Sequence, residues 1–169
     1  MRSFITKLLA VIFMIGGILG FTLALLTSAN FALKIAQHQV THIPIIQTFV
    51  VPFLFLLLYS LTMRASISLY RDLPMGYRLC HFLLILQIPI IITPTFSYIF
   101  TIMAGAALGF IQYPDHIRWS FYWISHSQSM LNTTPVNIGY RGFYINLLPF
   151  LFIPLLAICK KLPQEEKLF

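Results

Sequence analysis

The sequence predicts an all-α integral membrane protein of four transmembrane helices, with both termini cytoplasmic. Three observations carry that expectation. The 169 residues are 59% hydrophobic and 9% charged, with a mean hydropathy of +0.85, a composition that leaves too little charge for a soluble domain. Four long apolar runs, residues 5–27, 43–63, 79–111 and 143–159, divide the chain. The net charge of +7 comes from Lys and Arg scattered at the ends of those runs. That placement suits anionic headgroups and orientation control, and it argues against a nucleic-acid partner. Residues 1–169 are therefore expected to form a single membrane domain.

The first run, Ile5–Thr27, has an apolar core from Leu8 to Leu26. A signal peptide would need only ~7–15 such residues, so the run reads as a retained anchor despite the small residues Thr27, Ser28 and Ala29 at its end. The second run lies between His42 and Arg64, and the fourth ends at Lys160 and Lys161. At a rise of ~1.5 Å per residue, about 20 residues cross the hydrocarbon, so each of these three runs crosses once.

The third run decides the topology. At about 33 residues it is long for one upright span and short for two with a turn. Pro89 and Pro94, in "QIPIIITPTFSY", each remove a helical hydrogen bond, which predicts one long, tilted, proline-bent helix. A re-entrant hairpin is the alternative, and its backbone would need shelter inside protein. The charges favour one crossing. Arg2, Lys7, Arg64, Arg71, Arg78, Lys160, Lys161 and Lys167, eight of the eleven basic residues, then share the cytoplasmic side, against seven with a second crossing.

Because lipid tails are as apolar as leucine, small residues mark where membrane helices meet. Gly16, Gly20, Ala24 and Ser28 recur every four residues in the first run, and Ser97, Thr101, Gly105 and Gly109 do so in the third. A parallel contact between helices one and three is expected in the outer half of the membrane. The same ridges could serve a homodimer or a partner subunit.

Residues 112–142 form the expected outer loop. Pro114 and Asp115 can start a helix running to about Leu131, with Asp115 as its cap. Trp119, Trp123 and Met130 then fall near one face with Tyr122 beside them, and Trp119, Tyr122 and Trp123 would anchor this helix at headgroup level. The triplet Asn132-Thr133-Thr134 is a glycosylation sequon, meaningful only in a eukaryotic secretory membrane.

Little in the sequence carries chemistry. His38, His42, His116 and His126 fall on the predicted outer face, and the spacing of His38 and His42 would let both imidazoles share a metal. No glutamate completes an HExxH pattern and no cysteine accompanies them. His81 is the one histidine within a span, where haem ligation would want two. Cys80 and Cys159 form no CxxC pair, and Asp72 and Asp115 fall on opposite sides of the membrane. No ionisable residue lies near the midplane, where coupled transport usually places one.

The expected function is therefore non-catalytic and without a cofactor: an accessory or assembly subunit acting by intramembrane contact. Its partners would be the lipid bilayer and a membrane protein complex or a second copy. One alternative is a small homo-oligomeric carrier or channel using the proline-bent third and fourth helices. Another is an outer-face metal- or haem-binding protein using the four histidines. The expected location is a bacterial cytoplasmic (inner) membrane.

Overall fold

The computed structural model describes residues 2–37, 50–94, 96–102, 104–124, 127–132 and 139–161. Helix α1 (Arg2–Ala36) and helix α2 (Val51–Tyr70) pack antiparallel. Gly20 of α1 sits so close to α2 that a Cβ there would enter the Tyr59 ring, and one on Gly17 would lie 3.0 Å from the Met63 side chain. Pro52 stands in the first turn of α2, where its missing N–H has no helical partner to lose.

A turn at Arg71–Leu73 reverses the chain into α3 (Pro74–Leu86), with Pro74 again in the first turn. Asp72 adopts a left-handed φ of 55°, a conformation that Asp tolerates better than most residues. Its carboxylate accepts the Tyr77 hydroxyl proton at 2.6 Å, and the Tyr77 oxygen lies 3.3 Å from Thr6 Oγ1. These bonds place the start of α3 beside the start of α1.

The chain then leaves helix. Six strands follow: β1 (Pro89–Ile92), β2 (Ser97–Thr101), β3 (Gly105–Gln112), β4 (Ile117–Ile124), β5 (Gln128–Asn132) and β6 (Arg141–Asn146). All pairings are antiparallel, in the order β4-β3-β6-β1-β2-β5. Helix α4 (Leu148–Lys161) returns the chain to the helical end, where Cys159, Leu156, Leu9 and Tyr77 share one buried cluster.

The sheet cannot be flat. Six strands at ~4.8 Å spacing would put β4 and β5 about 24 Å apart. The four residue steps from Ile124 to Gln128 reach at most ~14 Å, so the sheet curls toward an incomplete barrel. A Cβ on Gly105 would lie 3.1 Å from Ile124 and 3.2 Å from Thr101, which shows β2, β3 and β4 converging at this end. The concave face buries Ile90, Ile99, Ala107, Ile124 and Tyr144. The tight curvature also depends on Gly109, where a Cβ would run into the Phe143 carbonyl and the Tyr144 Cα of the neighbouring strand.

The all-α, four-span expectation is thus overturned. Only α1, over Ser3–Asn30, and α2 are long and apolar enough to cross a membrane among the described residues. With 13 and 14 residues, α3 and α4 reach ~20 Å, short of the ~30 Å hydrocarbon core.

The expected bent helix over 79–111 is instead part of α3 followed by β1, β2 and β3. Pro89, three residues past the end of α3, stops the helix rather than bending it, and the β-branched run Ile90-Ile91-Ile92-Thr93 after it favours extended backbone. Pro94 lies in the hairpin tip, where Thr93 N donates to Phe96 O at 2.8 Å and Phe96 N to Thr93 Oγ1 at 2.9 Å. The expected interfacial helix from Asp115 to Leu131 is β4 and β5, and the expected fourth span over 143–159 divides into β6 and α4.

Candidate functional site

Three places in the fold gather side chains that act together. The first is the junction where the sheet meets the middle of the helical hairpin. Tyr59, buried on α2, donates its hydroxyl proton to Thr101 O at 3.3 Å. Its ring packs against Phe100 with centroids 5.5 Å apart, while Phe55 stacks on Phe100 at 6.2 Å. Ser127, just before β5, donates to Gly16 O on α1 at 3.0 Å. Gln87 closes the same junction from α3: its Oε1 accepts Ile102 N at 2.8 Å and its Nε2 donates to Leu83 O at 3.2 Å. Tyr98 donates to Leu86 O at 2.7 Å, and burial pushes its hydroxyl up to about 12, so it stays a donor at any physiological pH.

The second place is Asn146, fully buried at the passage from β6 into α4. Its Oδ1 accepts both Ala106 N and Leu148 N at 3.2 Å, and so ties the start of β3 to the start of α4. Its Nδ2 has no partner among the described residues and faces Gly105, whose added Cβ would lie 3.4 Å away. Beside this corner lies a crevice of about 180 Å³ lined by Ile12, Phe13, Leu84, Ile102 and Phe152, with Gln87 as its polar wall. Both polar groups of Gln87 are already engaged, so the crevice offers an apolar guest shape rather than directed bonds.

The third place is the convex face of β4, β3 and β6. Ile117, Trp119, Phe121 and Trp123 alternate along β4 and are 66%, 74%, 61% and 59% exposed. Leu108, Phe110, Phe143 and Ile145 continue the same face through register pairs Phe121↔Leu108↔Ile145 and Trp119↔Phe110↔Phe143. Phe110 meets Trp119 edge-on at 6.3 Å and Phe143 at 5.5 Å. Among the described residues β4 pairs only with β3, so its outer edge presents unpaired backbone groups.

The residues singled out from sequence fall as follows. Gly16, Gly20 and Ala24 are buried on α1, but the ridge faces α2 and the Ser127 corner. Ser97 and Thr101 lie in β2, and Gly105 and Gly109 in β3, so the expected helix-to-helix ridge contact does not exist. A contact of another kind replaces it: Gly20 packs on Tyr59, and Tyr59 bonds to Thr101.

Trp119, Tyr122 and Trp123 are all on β4, with the two Trp on the convex face and Tyr122 on the other, 6.4 Å from the Tyr144 ring. Of the metal candidates, His38, His42 and His126 lie outside the described residues. His116 is in the β3–β4 tip, stacked on Tyr113 at 4.7 Å and 2.8 Å from Asp115 Oδ1. Among the described residues, no three His, Cys, Asp or Glu side chains could share a metal.

Sequence reasoning missed Tyr59, the joining role of Asn146 and the alternating aromatic face. The face had a signal. Trp119, Phe121 and Trp123 alternate with Arg118, Ser120 and Tyr122, a period of two that fits a strand better than the four-residue spacing of the Trp pair fits a helix. No family model matches the chain, and neither a curated protein nor a solved structure resembles it.

Proposed function

We propose that this chain is a non-catalytic accessory or assembly protein, held in a membrane by the α1–α2 hairpin and acting by contact with a partner chain along β4. One observation carries the reading: β4 is an eight-residue edge strand, bonded on one side only among the described residues and exposed along most of its length. Such an edge recruits another strand by backbone hydrogen bonds, with flanking side chains supplying selectivity. The engaged polar groups at Tyr59, Tyr98 and Gln87 fit a scaffold better than a reaction centre.

The test is a photoreactive amino acid at Ser120, the middle of β4, in cells that make the full chain. A discrete adduct with one other protein, lost when Phe121→Pro removes an edge donor, is the expected result. Adducts confined to the chain's own residues or to lipid would overturn the contact reading. An adduct at twice the chain's mass would turn it toward a homo-oligomer.

A further inference from the structure

We infer that the convex face of β4, β3 and β6 lies in the outer leaflet of the bilayer, with lipid as its occupant and the hydrocarbon boundary near the row Ile117–Gln112–Arg141. This rests on the membrane anchoring proposed above and adds the depth and orientation of the sheet.

The depth follows from two hydrogen bonds. The apolar stretch of α1 runs from Ser3 to Asn30, and its middle is Gly16, whose carbonyl holds Ser127 at the lower end of the sheet. The middle of α2 is near Tyr59, whose hydroxyl holds Thr101 at the end of β2. The lower rim of the sheet is thereby pinned to the centre of both candidate spans. Since Tyr77 and Asp72 fix α3 beside the start of α1, the strands rise along the opposite halves of the two helices.

The polarity of the face changes at a matching height. Going up β4, the outward residues are Trp123, Phe121, Trp119 and Ile117. Their neighbours on β3 and β6 are Leu108 and Ile145, then Phe110 and Phe143, then Gln112 and Arg141. Everything below the last row is apolar. Above it come Asp115 and His116, both exposed in the hairpin tip.

From Trp123 to Ile117 is six residues, about 20 Å of strand, or about 15 Å of height at the ~40° tilt common in curled sheets. Half the hydrocarbon thickness is also about 15 Å. Arg118, Arg141 and the rings of Tyr113 and Tyr140, 5.9 Å apart, then stand at the phosphates, where cations and amphipathic aromatics are favoured. At that depth lipid cannot satisfy the open edge of β4, which gives the edge a physical reason to hold a partner strand.

Trp119 and Trp123 are the only tryptophans in the chain, so fluorescence can report their depths. Full-length protein and the variants Trp119→Phe and Trp123→Phe are reconstituted into phosphatidylcholine vesicles with bromine at shallow or deep acyl positions. The expected result is that deep bromines quench Trp123 most and shallow bromines quench Trp119 most, with little quenching by aqueous iodide. Quenching by iodide but not by bromolipid would overturn the inference. So would protection from both quenchers, because protein then covers the face, or equal depth for the two residues. Flotation and carbonate washing of the same vesicles separate the two readings: protein that never inserts sinks the anchoring proposal itself, whereas inserted protein with water-quenched tryptophans sinks only this one.

Discussion

Replacing Gly109 by alanine distinguishes the two architectures by the sign of its effect. Within a membrane or soluble helix, as the apolar run 79–111 suggests, Gly→Ala gains about 0.8–1 kcal/mol of helix propensity. In the curled sheet the new methyl would meet the Phe143 carbonyl and the Tyr144 Cα. These are backbone atoms of a strand bonded on both sides, by β1 and β3, so they cannot swing aside as a side-chain tip could. Forcing extra volume into such a site costs typically about 1–3 kcal/mol. For a chain of this size each kcal/mol moves the melting temperature by about 2–4 °C, so a fall of roughly 2–12 °C is expected. The assay is thermal unfolding in a mild detergent followed by far-ultraviolet circular dichroism. Gly139→Ala is the control, because nothing lies within 4 Å of its added Cβ and its effect should stay within about 0.5 kcal/mol. A raised melting temperature for Gly109→Ala, with Gly139→Ala neutral, would refute the sheet and restore a helix.

Three further outcomes are expected. Asn146→Ala removes the acceptor shared by Ala106 N, which is buried, and Leu148 N, which is part-buried; the buried donor alone costs about 1–3 kcal/mol when it loses its partner, read as a lower melting temperature and faster amide exchange at Ala106. Gly20→Leu drives a side chain into the buried Tyr59 ring, and cysteine cross-linking between α1 and α2 should weaken together with stability; unchanged cross-linking would count against the packed hairpin.

Burial pushes the Cys80 thiol up to about 12 from its ordinary value near 9, so maleimide should label it slowly in the folded protein and rapidly after denaturation. The same shift sets a pH dependence. The folded thiol holds its proton more tightly than the unfolded one, so its stabilising effect is complete below pH 9 and is lost as pH rises toward 12. Cys80→Ala should flatten that alkaline decline.

How much of the site was legible differs from place to place. Gly16, Gly20 and Ala24 announced a close approach on α1, because only small residues let another backbone or ring come near. Their partner could not be read, since Tyr59 is one more aromatic in an apolar run until the fold brings Thr101 to its hydroxyl. The aromatic residues of β4 were legible as a surface feature. Their geometry was misjudged because Trp119 and Trp123, four apart, fit one helical face as well as one strand face. Asn146 stands out in the sequence as a polar residue within the apolar run 143–159, but nothing local said that its oxygen would join a strand to a helix.

Composition and order along the chain determined by themselves that α1 and α2 are long apolar helices, that prolines interrupt the third run, and that residues 112–142 are rich in exposed aromatics. These are properties of hydropathy and of single residues, which need no knowledge of what packs where. Only the tertiary structure decided that the chain after Gln87 becomes a sheet. Short apolar segments of β-branched and aromatic residues have no strong intrinsic preference between helix and strand. The sheet holds together only because strands distant in sequence, such as Arg141–Asn146 beside Pro89–Ile92 and Gln128–Asn132 beside Ser97–Thr101, supply hydrogen bonds that no local hairpin can make alone.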